Sequence, residues 1–111
     1  MPDNWEEHYG YNANTSKVVQ VPCRPLGTLL RSMMKQTGAA SVDFFSLDVE
    51  GGELEVLKTM DWSIDVGVWF IEWGGGRPWT KADLTQLLGS HGYVPSPKGA
   101  ELTNNGVFVR R

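Results

Sequence analysis

Apolar residues between Pro25 and Gly38 recur at the spacing of a helix with one buried face. Proline is favoured at the beginning of a helix and glycine just past its end, so these two residues predict the bounds of the first helix. Burial alone accounts for this spacing, and the methionines in the stripe are predicted to be core residues. The stripe consists of Leu26, Leu29, Leu30, Met33 and Met34.

Two short runs further along the chain, 42–48 and 66–72, place apolar residues on both faces of an extended backbone. Strands of this kind are typical of a parallel sheet with helices on both sides. Glycines follow each run, and after them come segments with helical spacing, 53–60 and 80–88. This alternation of strand and helix predicts a βαβ arrangement.

The helix at 80–88 carries its own start signal. Thr80 precedes the first apolar turn, and Asp83 follows it by three residues. A hydroxyl residue and an acidic residue at this spacing satisfy each other's backbone donors in a capping box. The sequence therefore predicts Thr80 as the N-cap of this helix.

The last part of the chain predicts two more short strands, 93–94 and 107–109, with Asn105-Gly106 as a turn signal before the second. The order of elements is then helix, strand, helix, strand, helix, strand, strand. This order predicts the α/β class, with a mainly parallel sheet and a terminal antiparallel hairpin.

The domain organisation follows from length and from local composition. Residues 1–17 are polar and rich in turn-forming residues, so they are predicted to be an irregular lead-in. The remaining residues, 18–111, are predicted to form a single structural domain, since a chain of 111 residues has room for one.

Charge and hydropathy narrow the range of partners. The chain has 10 Lys and Arg against 13 Asp and Glu, a net charge of -3, and no basic run. Because phosphate neutralisation supplies most nucleic-acid affinity, we expect neither nucleic acid nor an anionic membrane surface as a partner. There is no apolar stretch of the roughly 20 residues that a membrane span needs. The N-terminus lacks a signal-peptide pattern, so the sequence as written is expected to be cytoplasmic.

Acidic residues stand where both central strands end. Asp48 and Glu50 close the run 42–48, and Glu72 closes the next run. Residues two apart on an extended chain project on the same side, and ligands of parallel sheets bind beyond the carboxyl ends of the strands. If the two strands are neighbours, the three carboxylates converge on one crevice.

Converging carboxylates support two kinds of chemistry. They can hold a divalent cation, or one of them can act as a general base toward a hydroxyl group, its pKa raised by burial and by its neighbour's charge. A structural interpretation is also open, in which Asp48 and Glu50 satisfy backbone donors of the turn. The chain has one cysteine and no histidines at ligand spacing, and we assign no metal ligand.

The segment 42–62 reads Val-Asp-Phe-Phe-Ser-Leu-Asp-Val-Glu-Gly-Gly-Glu-Leu-Glu-Val-Leu-Lys-Thr-Met-Asp-Trp. Its Asp-Val-Glu-Gly after a strand, followed by Glu-Leu on the next helix, closely resembles the FkbM-type methyltransferase domain. The segments 21–26, 70–72 and 107–110 are similar to the family's flanking pieces. The resemblance covers the chain from Val18 to its C-terminus.

The resemblance implies a Rossmann-like fold and the transfer of a methyl group from S-adenosylmethionine to a hydroxyl group of a small molecule or glycan. It implies that Asp48 and Glu50 are the catalytic residues, as base or orienting groups. Glu53, Glu72 and Trp73 are predicted to bind the substrate. For Trp73, which flanks the glycine-rich connection 74–76, stacking on a sugar ring or planar group and packing within the protein are both open.

The chain departs from the family pattern before Asp48. A family member begins with a strand and a glycine-rich loop that holds the cofactor, and no such segment precedes this residue. We therefore expect the C-terminal half of the fold, without its cofactor-binding residues and inactive alone. The strand 42–48 would have a bare edge, which favours self-association.

A second functional hypothesis comes from the motif Phe-Phe-Ser-Leu-Asp-Val-Glu-Gly in the same segment. This motif is similar to the sequence of the Star-like branch of the family. The likeness implies a non-catalytic trafficking or binding module. An enzyme domain, a binding module and a small structural α/β domain with no site of its own thus remain the alternatives that the sequence supports.

Overall fold

The computed structural model describes residues 18–74, 76–98 and 104–111. Their elements follow one another in the predicted order. The predicted lead-in, residues 1–17, lies outside the described residues. The helices are α1 (Leu26–Thr37), α2 (Glu53–Leu57) and α3 (Lys81–Gly89), and the strands are β1 (Val42–Leu47), β2 (Val66–Glu72), β3 (Tyr93–Pro95) and β4 (Asn105–Arg110).

The strands form one four-stranded sheet in the order β1, β2, β4, β3. β1 and β2 are parallel and are joined through α2, which makes the predicted βαβ arrangement. β4 runs antiparallel to both β2 and β3, so the terminal antiparallel pair is confirmed. The predicted mainly parallel sheet holds only for the β1–β2 pair, because β4 inserts between β2 and β3 and makes the sheet mixed.

One face of the sheet carries the hydrophobic core, and we call it the covered face. Leu30 of α1, Leu57 of α2 and Leu84 of α3 belong to the same cluster as the side chains of this face. Full burial of such a side chain contributes about 1.5–3 kcal/mol, so this cluster is the main source of stability. The strand residues of the covered face are Phe45, Leu47, Trp69, Ile71, Tyr93 and Phe108.

On the opposite face, Val42 and Val66 at the beginning of β1 and β2 still belong with the core. The apolar side chains beyond them lie outside that cluster, and we call this part the open face. Phe44 is 57% exposed, and its ring lies 6.0 Å from the ring of Phe70. The prediction that the central strands are buried on both faces is therefore wrong for this side. The residues of the open face are Phe44, Val68, Phe70, Val107 and Val109.

The beginning of α1 depends on a residue far away in the sequence. Pro25 offers no side-chain cap, and Thr59 supplies the acceptors instead. The Thr59 hydroxyl accepts from the backbone N–H of Leu26 at 2.9 Å, and its carbonyl accepts from that of Gly27 at 3.2 Å. The first N–H groups of a helix need such partners. This contact explains why α2 ends at Leu57, earlier than predicted, since the backbone leaves the helix to present Thr59.

The apolar stripe of α1 is only partly buried. Leu30 is 6% exposed, and Leu26 and Met34 pack against the core. Leu29 and Met33 are 48% and 59% exposed, so the prediction that both methionines are core residues is wrong for Met33. The helix contacts the core along the line of positions 26, 30 and 34, and the neighbouring line of side chains faces away from it.

The last helix and the last strand give one confirmation and one correction. The Thr80 hydroxyl accepts from the N–H of Asp83 at 3.1 Å, and the Asp83 carboxylate accepts from the N–H of Thr80 at 2.8 Å, which confirms the capping box. The predicted turn at Asn105-Gly106 is wrong, because both residues pair with β2 inside β4. The backbone turns one residue earlier, at Asn104, whose φ is 63°.

The helices are short compared with a lipid bilayer. The longest of those described, α1, has 12 residues, whereas a membrane span needs about 20. Within residues 18–74, 76–98 and 104–111 no helix is long and apolar enough to cross a membrane.

Candidate functional site

The chain turns sharply where β1 ends, between Asp48 and Gly52. Glu50 and Gly51 both have positive φ angles, 53° and 103°. The left-handed region costs a residue other than glycine about 1–3 kcal/mol, and residues held there cluster at functional sites. The turn therefore presents Glu50 in a conformation that neighbouring groups have to hold.

Glu53, the first residue of α2, holds this turn from the inside. Its side chain is fully buried, and its carboxylate accepts from the N–H of Val49 at 2.8 Å and from that of Gly51 at 3.1 Å. These backbone donors are thus satisfied by Glu53. The interpretation that Asp48 and Glu50 satisfy backbone donors of the turn therefore does not hold for these two N–H groups. Both residues are exposed at the surface of the turn.

Three of the predicted acidic residues meet at the carboxyl ends of β1 and β2. One carboxylate oxygen each from Asp48, Glu50 and Glu72 lies within 4.8 Å of the others, and we call these residues the acidic cluster. A hydrogen bond with Asp48, then burial and the charges of Asp48 and Glu50, raise the pKa of Glu72. Carboxylates at this spacing can share one proton, and they could also share a divalent cation.

Arg77 connects the acidic cluster to the protein interior. Its side chain is 11% exposed, and its Nε atom lies 3.3 Å from Oε1 of the buried Glu53. Its Nη2 atom lies 3.2 Å from Oε2 of Glu72 and 3.9 Å from Oδ1 of Asp48. The guanidinium charge lowers the pKa of Glu72 and so works against the effect of the neighbouring acids.

Two tryptophans flank the connection between β2 and α3. The Trp73 ring packs edge-on against Phe108, with centroids 5.7 Å apart, and the Lys81 ammonium lies 5.0 Å from its centroid. Trp79 is 8% exposed, and its Nε1 donates to the carbonyl of Gly51 at 3.0 Å. Trp79 therefore helps to fix the turn after β1, whereas the Trp73 ring packs beside β4.

Comparison with known proteins gives a family. The model of the methyltransferase FkbM domain matches residues 2–95. The chain belongs to the FkbM methyltransferase domain family. No curated protein and no solved structure matches the chain.

The predicted site residues of this FkbM domain occupy two different environments. Asp48, Glu50 and Glu72 converge as expected from their places at the strand ends. Glu53 lies behind the turn with its carboxylate bonded inside the protein, and Trp73 packs beside β4. Catalysis by Asp48 and Glu50, and substrate binding by Glu53, Glu72 and Trp73, stay predictions.

Sequence reasoning offers Arg77 as a residue that could hold an anionic substrate group, and it missed the burial of this side chain and its ion pairs with acids of the protein itself. Arg77 stands alone between glycines and Pro78, with no periodic pattern to predict burial. One signal does exist, because acids that end two neighbouring strands need a nearby cation when they are partly buried. Arg77 is the first basic residue after β2, and it follows Glu72 by five residues.

The described residues of the FkbM domain line two open grooves on the helical side of the molecule. One groove, of about 390 Å³, is lined by residues of α2, α3 and their flanks, such as Leu54 and Leu87. Another, of about 330 Å³, lies between α1 and α2 and includes Leu29 and Val56. Neither groove is lined by the acidic cluster.

Proposed function

We propose that this FkbM domain forms the acceptor side of methyl transfer from S-adenosylmethionine to a hydroxyl oxygen. One observation carries the proposal. Asp48 and Glu50 are exposed on a turn with positive φ angles that Glu53 holds from inside, and they lie beside Glu72, whose pKa is raised. An ordered, solvent-facing group of carboxylates of this kind suits a general base.

The step assigned to these residues is the removal of the acceptor's proton. The O–H bond of the acceptor breaks as a carboxylate oxygen of Asp48 or Glu50 takes the proton, and the acceptor oxygen keeps the electron pair. Bound S-adenosylmethionine would supply the methyl group to this oxygen, with its methyl–sulfur bond broken and S-adenosylhomocysteine as the leaving group. Carboxylate oxygens of Glu72 and Asp48 lie within 4.8 Å of each other, so the pair can hold one proton between them. A raised pKa brings a carboxyl group closer to the range in which it exchanges protons at neutral pH.

The cofactor is expected from family membership. S-adenosylmethionine supplies the electrophilic methyl group in methyltransferases of this kind. Because no glycine-rich loop of the family's kind stands before Asp48 in the sequence, we propose that the cofactor-binding residues lie elsewhere in the protein or on another polypeptide. Isothermal titration of the 111-residue chain with S-adenosylmethionine should then give no binding heat. Saturable binding at micromolar concentrations would overturn this part of the proposal.

The role of Asp48 is tested in a polypeptide that carries these residues together with a cofactor-binding half. Methyl transfer to hydroxyl acceptors is followed with radiolabelled S-adenosylmethionine. Asp48→Asn should lower kcat about 100-fold or more, the usual contribution of a general base. Asp43→Asn, an exposed acid in β1, is the matched control and should leave kcat unchanged. Equal turnover of the Asp48 variant and the control would refute the assignment.

A second candidate function is a non-catalytic binding module, as in the Star-like branch. The observation that favours it is the outer position of β1 in the sheet, with its second edge outside the described ladder. β1 contains a single charge, Asp43, and neither lysine nor proline, the residues that usually protect an edge strand. Phe44 adds an exposed aromatic side chain to this edge.

We propose that this edge pairs with a strand of a partner, which for the isolated chain is a second copy. An antiparallel pair of β1 strands centred on Phe44 would place the two Phe44 rings opposite each other, an arrangement that stabilises sheets. Sedimentation velocity should show a concentration-dependent dimer that Phe44→Lys abolishes. A monomer at all concentrations, with an unchanged Phe44→Lys variant, would rule out self-association through this edge.

A further inference from the structure

Arg77 contacts acidic residues from three separate elements with one guanidinium group. They are Asp48 at the end of β1, Glu53 at the beginning of α2 and Glu72 at the end of β2. Arginine is seldom buried unless it is paired, and this side chain is 11% exposed. The ion pairs therefore account for an arginine at this depth.

The acidic residues on the two sides of Arg77 differ in how far they are buried. On the inner side, Glu53 is fully buried and is fixed by the N–H groups of Val49 and Gly51. On the outer side, the side chains of Asp48 and Glu72 are 55% and 34% exposed. A fixed anion thus anchors the guanidinium, and the guanidinium in turn restrains the two carboxylates that face solvent.

The segment that carries Arg77 is anchored a second time on the same turn. The Nε1 atom of Trp79 donates to the carbonyl of Gly51 at 3.0 Å. A Cβ atom added to Gly51 would lie 3.6 Å from Cδ of Pro78, so the two segments run beside each other with room for such an atom between them. The hydrogen bond of Trp79 therefore fixes the position of this segment together with the charge contacts of Arg77.

The charge balance shows what the guanidinium does for the acidic cluster. Carboxylate oxygens of Asp48, Glu50 and Glu72 lie within 4.8 Å of one another. Like charges at such separations repel strongly when they are partly buried. Arg77 is the cation that contacts two of them, and without it these side chains would move apart or take up protons.

We propose that Arg77 is the positioning residue of the acidic cluster, which holds the carboxylates of Asp48 and Glu72 at a fixed spacing against the buried Glu53. The catalytic meaning of this spacing rests on the function proposed above. The spacing itself does not, and it can be measured without any methyl transfer.

The test uses NMR of the whole chain, with Arg77→Met, Arg77→Lys and a control, Arg31→Lys. The first readout is the hydrogen exchange of the Val49 and Gly51 amides, which reports whether Glu53 still holds the turn. The second is the pH titration of the Glu72 side-chain carboxyl carbon. The groups that face Glu72 are Asp48, Glu50 and Arg77.

Arg77→Lys should keep both amides protected, because a single ammonium can still pair with the buried Glu53. It should move the Glu72 titration to higher pH, since a point charge cannot replace the planar fork that reaches two acids. Arg77→Met should move the titration further upward where it folds. Arg31→Lys should change neither readout, because Arg31 pairs with Asp61.

The proposal is overturned if Glu72 titrates identically in the wild type and in Arg77→Lys while both remain folded. An unfolded Arg77→Met together with an unshifted Arg77→Lys would reduce Arg77 to a purely structural ion pair. Failure of methyl transfer in the assay described above changes neither NMR readout, so the two proposals can fail separately.

Discussion

The two faces of the sheet are built from the same strands and similar residues, yet they differ in what covers them. On the covered face, Trp69, Ile71 and Phe108 are completely buried beneath residues of the helices. On the open face, Phe44 is 57% exposed although it alternates with core residues along β1. The difference teaches that alternation of apolar residues sets which face a side chain takes, whereas burial depends on a second layer.

The acidic residues near α1 and those at the end of the open face also differ in their surroundings. Asp61, beside α1, is paired with Arg31, and hydrogen bonds from Arg31 and Ser63 lower its pKa to about 2. Glu72 continues the alternation of the open face, and its acidic neighbours raise its pKa. Asp61 is thus matched one to one with a cation, whereas Asp48, Glu50 and Glu72 share the single guanidinium of Arg77 and repel one another. A cluster that keeps such repulsion in a folded protein is typical of a binding or catalytic surface.

The sharpest test of this comparison replaces one phenylalanine by alanine on each face. Phe108→Ala should lower the free energy of unfolding by about 3–5 kcal/mol, since it leaves a large cavity in the core. Phe44→Ala should cost about 1 kcal/mol, the worth of its aromatic contact with Phe70. Urea unfolding followed by tryptophan fluorescence measures both. If Phe44→Ala costs as much as Phe108→Ala, a partner covers the open face in solution.

The next comparison concerns two glutamates in the first turn of α2. Glu53→Gln leaves Arg77 without its buried partner and should cost about 3–5 kcal/mol, the usual loss when one member of a buried ion pair is removed. Glu55→Gln is the matched control, because Glu55 is 76% exposed and pairs only with Lys58. It should change stability by about 0.5 kcal/mol or less. Equal costs in urea unfolding would show that Glu53 does not hold the turn.

A smaller effect is expected where α1 meets the rest of the protein. A Cβ atom on Gly27 would lie 2.5 Å from the backbone nitrogen of Asp61, which cannot move aside easily. Gly27→Ala should therefore cost about 1–3 kcal/mol. Gly89→Ala in α3 meets no atom within 4 Å and should stabilise the fold by about 0.5–1 kcal/mol. Thermal unfolding of both variants checks the opposite signs, and a neutral Gly27→Ala would mean that α1 does not dock closely.

The elements themselves were predictable because local signals fix them. The spacing of apolar residues predicted every described helix and strand, and the Thr80 capping box was read directly from two positions. The errors arise where distant segments decide. α2 ends early because Thr59 caps α1, and Met33 is exposed because α1 docks along a different line of side chains. Neither contact leaves a periodic trace in the sequence.

The candidate site was predictable to a similar extent. The convergence of Asp48, Glu50 and Glu72 followed from their places at the ends of parallel strands. The burial of Glu53 and the ion pairs of Arg77 did not, because both depend on how the segment after β2 folds back over the turn. A lone basic residue in a glycine-rich connection gives no pattern that distinguishes a buried ion pair from a solvated side chain.

The last prediction uses pH to separate the two kinds of acid. The pKa of Asp61 falls from 3.8 to about 2 on folding, so its stabilising contribution is complete above pH 3.8 and is lost as the pH falls toward 2. The pKa of Glu72 is raised above 4.5, so its contribution is present below pH 4.5 and is lost as the pH rises through the folded value. In a plot of stability against pH, Asp61 should therefore affect the acidic side and Glu72 the side above pH 4.5.

Urea midpoints measured between pH 2 and 7 for the wild type, Asp61→Asn and Glu72→Gln distinguish these contributions. Asp61→Asn should flatten the acid limb between pH 3.8 and 2, because its carboxylate no longer has to be protonated. Glu72→Gln should raise the midpoint near neutral pH, since it removes repulsion from Asp48 and Glu50 while Arg77 keeps Glu53 as a partner. If both variants flatten the same acid limb, the charge of Arg77 outweighs the acidic neighbours of Glu72, as that of Arg31 does for Asp61. The contrast between the acids of the two faces would then be lost, and with it the main electrostatic support for a functional site at the end of the open face.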